Sequence, residues 1–178
     1  MMVLKLFTFT FLFAIVGFAV PAVSQPAFDE VRIGLMRHDA ESNSNEDGTD
    51  LNLEILFPST EWLGKLRSPR PLIGTSLNSD NETHQIYGGL AWDFDMSESI
   101  FGEVMIGTAL HDGKSSGDAN FKGKEYGCAV LFRESLSLGY RLDEDKSIMA
   151  SVSHISNGGL CDENSGLTNA GFRFTFRY

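Results

Sequence analysis

The stretch Gly171-Phe172-Arg173-Phe174-Thr175-Phe176-Arg177-Tyr178 alternates without a break. In an extended strand every second side chain shares a face, so Phe172, Phe174, Phe176 and Tyr178 lie opposite Arg173, Thr175 and Arg177. An apolar face backed by a polar one suits a strand with lipid outside and a polar lumen inside. A soluble lipocalin-like barrel carries the same alternation turned inside out, so this strand alone does not say which face meets lipid.

Working outward, seven more segments read as strands: Glu30 to His38, Asp50 to Phe57, Pro71 to Leu77, His84 to Phe94, Ile100 to Leu110, Tyr126 to Arg141 and Ser147 to Ser156, with Thr168 to Tyr178 as the eighth. Their apolar faces agree: Val31, Ile33 and Leu35; Leu51, Leu53, Ile55 and Phe57; Ile86, Leu90, Trp92 and Phe94; Val104, Ile106 and Leu110. Opposite them fall Arg32, Glu54, Glu103, Arg133, Arg173 and Arg177. Such charges pair across a narrow lumen, whereas on a lipid face each costs about 2–4 kcal/mol at mid-depth. Glu134 breaks the rule, because it shares the apolar side with Phe132 and Leu136 and calls for either a bulge or a different register. Long polar connections alternate with the short turns Asp95 to Ser99 and Leu142 to Lys146, as in outer-membrane barrels. Pro58 to Arg70 is the long exception and reads as an interfacial segment. The predicted fold is all-β, an eight-stranded antiparallel transmembrane barrel.

At the other end, Lys5 precedes the apolar run Leu6 to Val20, Pro21 and the small-residue site Ala22-Val23-Ser24. This pattern predicts a signal peptide over residues 1–24 and one barrel domain over 25–178, exported to the bacterial outer membrane. The run is too short to read as a membrane-spanning helix, so membrane integration falls to strands. The formal net charge of -10 argues against nucleic acid, whose phosphates are bound by Lys and Arg. Acidic loops suit instead a surface bridged by divalent cations. Cys128 and Cys161 both fall at the long-loop end beside adjacent strands, which in an exported chain predicts a disulfide, with two free thiols as the alternative.

The seventh strand leads from Ile148, Ala150 and Val152 on one face into His154 and Ser156 on the same face. An imidazole two residues from a hydroxyl on one strand face can act as general base toward a serine nucleophile. Asn157 and Asn164, with the amides around Gly158 and Gly159, could donate to a tetrahedral oxyanion. The plainer reading is a polar cap on a strand at the membrane interface. His38, His84 and His111 match no local metal-ligand spacing, and the acidic loop Glu41, Glu46, Asp47 and Asp50 lacks the order of a calcium loop. Trp62, Trp92 and Tyr178 read as interface anchors.

The segment His154-Ile155-Ser156-Asn157-Gly158-Gly159-Leu160, followed by Asn164, Gly166 and an aromatic-ended strand, resembles the lipid A 3-O-deacylase (PagL) family of outer-membrane barrels. Arg70-Pro71-Leu72-Ile73-Gly74, Tyr87-Gly88-Gly89-Leu90-Ala91-Trp92 and His111-Asp112-Gly113-Lys114 are weaker versions of that family's pattern. The resemblance implies an active site on the outer barrel wall, with lipid A or lipopolysaccharide as the partner and no cofactor. It assigns His154 as base, Ser156 as nucleophile, and Asn157 and Asn164 as oxyanion donors, for an ester hydrolysis through an acyl-enzyme. It leaves a homodimer open. One position departs: the family acid at the start of the last strand is matched here by Thr168, and Asp162 or Glu163 could fold back to replace it. The alternatives are therefore a non-enzymatic barrel with a structural or surface-interaction role and, further off, a soluble secreted barrel holding an apolar ligand.

Overall fold

Alternation over this many segments leaves each strand with one face to hide from water and one from lipid, and closing the sheet on itself satisfies both. The computed structural model describes residues 27–41, 45–115 and 124–178; the predicted signal peptide lies outside the described residues. Eight strands follow in order: β1 (Glu30–Arg37), β2 (Thr49–Leu56), β3 (Arg70–Asn78), β4 (Gln85–Asp95), β5 (Ile100–His111), β6 (Val130–Arg141), β7 (Lys146–Ser156) and β8 (Leu167–Arg177). Each pairs antiparallel with its sequence neighbours, and β1 pairs with β8 to close the barrel. Seven predicted strands agree with these bounds to within a residue at either end. The sixth begins at Val130, not Tyr126. Tyr126 turns inward, and Gly127 takes a positive φ of 74° that ends any extended approach.

Register shows which face is which. Val31, Ile33 and Leu35 stand beside Ile55, Leu53 and Leu51 on one side and beside Phe176, Phe174 and Phe172 on the other. Leu35 is 63% exposed and Phe172 64%, whereas Arg32 and Arg173 are each 1% exposed, so the apolar face is outside and the charged face inside. A water-soluble barrel would reverse that order.

The lumen is closed by ion pairs. Arg32 reaches Glu103 at 2.5 Å, Glu30 at 2.5 Å and Glu54 at 3.2 Å. Arg173 meets Glu54 at 3.1 Å, and Tyr87 donates to the same carboxylate at 2.8 Å. Arg133 lies over the Tyr87 ring at 3.8 Å and donates to Gln85 at 2.8 Å. Low dielectric raises the cost of a lone charge and the value of a partner, so these groups stand or fall together.

Four connections meet at one rim: those after β1, β3, β5 and β7. There His38 lies between Asp50 at 2.8 Å and Glu46 at 3.0 Å. Burial opposes its charging, but the two carboxylates prevail and raise its pKa to about 9. His84 accepts from the Asn78 backbone N–H, and His111 bonds the Cys128 carbonyl, so the four histidines of the chain do not gather into one cluster. At the opposite rim, the segment between β2 and β3 holds a short 3-10 helix, Glu61–Leu66. Trp62 projects outward from it, 74% exposed, and Trp92 donates to the Leu66 carbonyl at 2.7 Å.

Candidate active site

β7 carries Ile148, Ala150, Val152, His154 and Ser156 on its outward face, interleaved with the buried Met149, Ser151, Ser153 and Ile155. His154 and Ser156 therefore lie on the outer wall at the long-loop rim, not in the lumen. The flanking strands supply their neighbours. On the β8 side His154 stands opposite Thr168, and on the β6 side opposite Glu134; Ser156 stands opposite Phe132. Glu134 thus faces outward without a bulge, in an unbroken ladder. Its place beside the rim accounts for the break in pattern, because a charge near the interface costs only about 0–1 kcal/mol.

His154 Nδ1 lies 2.8 Å from Thr168 Oγ1. Thr168 Oγ1 in turn donates to Glu41 Oε1 at 2.5 Å, from the connection after β1. Neither Asp162 nor Glu163 has a side-chain hydrogen bond to His154 or Thr168; both are exposed on the connection after β7. Glu41 was beyond reach of sequence reasoning. It is separated from Thr168 by 127 residues and has no local motif around it, and only barrel closure through β1 and β8 brings the two together.

Asn157 is buried and knits the loop. Its side-chain NH2 donates to the carbonyls of Tyr126 and Glu163, its Oδ1 accepts from Gly159 N–H, and its own N–H donates to Asn164 Oδ1. Both amide hydrogens of Asn157 are thus engaged. The NH2 of Asn164 and the N–H of Gly158 have no hydrogen bond to another described residue. Cys128 and Cys161 are bonded, with Cα atoms 5.9 Å apart, and tie this loop to the start of β6. Closing a loop of 33 residues contributes about 3–4 kcal/mol in the chain-entropy account.

Gly166 turns the chain back toward β8 with φ +62°, and a Cβ there would lie 2.9 Å from His154 Cε1 and 3.3 Å from Nε2. Gly166→Ala should therefore displace the His154 imidazole. The barrel itself should stay heat-modifiable on a gel, because the clash falls on the outer wall and not in the lumen. Below His154, the outward faces of β6, β7 and β8 form an open furrow of about 620 Å³. Its floor is made of Ala150, Ala170 and Gly171 between Leu136, Leu138 and Phe172.

The sequence profile of the lipid A 3-O-deacylase (PagL) family matches residues 36–177. The chain belongs to that family. Comparison with curated protein sequences gives no match. Among solved structures, the outer membrane enzyme PagL superposes with a TM-score of 0.60 at 17% identity, covering 84% of this chain and 99% of that one. The N-terminal β-barrel domain of Pseudomonas aeruginosa OprF gives a TM-score of 0.53 at 11% identity, covering 84% and 98%. Neisserial surface protein A gives 0.54 at 10%, covering 84% and 96%. Those likenesses concern the fold: a small outer-membrane barrel. This PagL-family chain is accordingly a lipid A deacylase-like barrel of the bacterial outer membrane.

Proposed function

We propose that the protein is an esterase that removes an ester-linked acyl chain from lipid A, with Ser156 as nucleophile and His154 as base. The observation that carries this reading is the pairing of His154 with Thr168 on the lipid-facing wall, in line with Ser156 on the same strand face. The pair lies at the rim where the polar loops meet the apolar outer wall, the level at which an ester between sugar and acyl chain would sit. The furrow beneath it offers the acyl chain an apolar path that continues the membrane interior.

In this mechanism Ser156 Oγ attacks the ester carbonyl carbon as its proton passes to His154 Nε2. The tetrahedral oxyanion is held by the Asn164 NH2 and the Gly158 N–H, while Asn157 holds those donors in place. His154 returns the proton to the departing sugar oxygen as the C–O bond breaks. Water, deprotonated by the same imidazole, then cleaves the acyl-enzyme and frees the fatty acid.

The test is mass spectrometry of lipid A from a Gram-negative host making the protein, against a host making Ser156→Ala at equal membrane abundance. Loss of one acyl chain only with the unaltered protein is the expected result. Identical spectra under permissive membrane conditions would instead favour the non-enzymatic barrel, the reading to which the absence of a carboxylate at Thr168 otherwise points.

A further inference from the structure

Resting on the His154–Ser156 site proposed above, we propose that Glu41 is the acid of that site and positions His154 through the hydroxyl of Thr168. The proton count decides the direction of the relay. A threonine hydroxyl has one hydrogen, and a carboxylate only accepts, so the 2.5 Å contact spends that hydrogen on Glu41. Toward His154, 2.8 Å away, Thr168 Oγ1 can then only accept, which requires the hydrogen on Nδ1. The tautomer is thereby fixed, and Nε2 keeps the lone pair that a general base needs. When His154 takes the proton of Ser156, the positive ring lies one hydroxyl away from a negative carboxylate.

Glu41 is not a stray surface acid that happens to swing near. Beyond the last β1–β8 pair, Arg37 with Ala170, the ladder continues as Ala40 N–H donates to the Thr168 carbonyl at 2.7 Å. Asp39 is fully buried with φ 44°, its N–H donates to Asn169 Oδ1 at 3.1 Å, and its carboxylate meets Lys124 at 2.6 Å. Lys124 also donates to the Gly166 carbonyl at 2.9 Å, which ties the turn beside His154 to the same clamp. Residues 39 and 40 are therefore pinned against the start of β8, and Glu41 is the next residue out. A carboxylate from a different loop thus stands behind the hydroxyl at position 168.

The charged neighbours of His154 are Glu41 through Thr168, Glu134 across the β6 pairing, and Lys124 behind Gly166. Glu134 has no hydrogen bond to His154 among the described residues and serves as the rival acid in the test. The refolded mature chain is assayed on lipopolysaccharide micelles, with heat-modifiable migration as the check on folding. Glu41→Gln should lower kcat about 10- to 100-fold with KM little changed, less than the about 10⁴-fold lost when a directly bonded acid is removed from a protease triad. Thr168→Val should do the same, and the double variant should be no worse than either, because both cut one relay.

Rescue is the readout that a structural role would not give. Thr168→Glu in the Glu41→Gln background should recover activity by placing a carboxylate directly on Nδ1, and Thr168→Ser alone should keep it. Wild-type kcat in folded Glu41→Gln would overturn the proposal, as would a larger loss in Glu134→Gln than in Glu41→Gln. Ser156→Ala separates the two levels: if it is inactive while Glu41→Gln is unimpaired, only the role of Glu41 falls. If Ser156→Ala keeps full activity, the site reading itself falls.

Discussion

Under the proposed mechanism, turnover of lipopolysaccharide by His154→Ala should fall by about 10⁴- to 10⁶-fold, and adding Ser156→Ala should lower it no further. In that mechanism the two side chains perform one step. Without the imidazole the serine hydroxyl keeps its proton and is a poor nucleophile, and without the hydroxyl the imidazole has nothing to activate. Residual turnover would then come from the donors of the loop and from binding in the furrow. Single-turnover kinetics on the folded barrels checks this, and losses that multiply would mean that His154 and Ser156 act separately. The half-buried setting of both residues on β7 lets the variants fold, because the outward face of the strand contributes no packing to the lumen.

Arg32→Met gives the largest expected loss of stability, about 3–5 kcal/mol, because it strands buried carboxylates. Glu30 retains Arg70 at 2.7 Å and Arg177 at 2.9 Å, and Glu54 retains Arg173 at 3.1 Å. Glu103 is left with Arg70 alone at 3.7 Å, while being 1% exposed. The penalty therefore concentrates on Glu103, and Arg32→Met/Glu103→Gln should recover part of it. Urea midpoints of the two variants in detergent provide the measurement; a double variant no more stable than the single one would mean that methionine packing, not the orphaned charge, sets the cost.

Much of this architecture is legible in the chain because a barrel wall is governed by local alternation. Phe172, Phe174 and Phe176 announce the outer face, and Arg32, Glu54, Glu103 and Arg173 the inner, with a period that needs no knowledge of neighbours. Register follows because a slip by one residue would turn all of these to the wrong side. The start of β6 was less legible. Tyr126-Gly127-Cys128 alternates well enough to continue the strand, but the Tyr126 hydroxyl is drawn inward to Glu46 at 3.2 Å and Thr83 at 3.1 Å, on two other loops.

The candidate site divides the same way. His154 and Ser156 are two residues apart, so a strand must place them on one face, and the sequence suffices to nominate them. The setting of Glu134 needed the ladder: an outward carboxylate reads as an error until β6 is laid beside β7 and found to put it next to His154. The acid needed still more. Asp162 and Glu163 are near in sequence yet have no bond to the imidazole, whereas Glu41 reaches Thr168 across 127 residues. The sequence by itself determined the alternating wall, the polar lumen and the two residues on β7, because each depends on the two-residue period of one strand. Only the tertiary structure decided which carboxylate stands behind His154, because that contact exists through closure of β1 onto β8, and closure has no local signature.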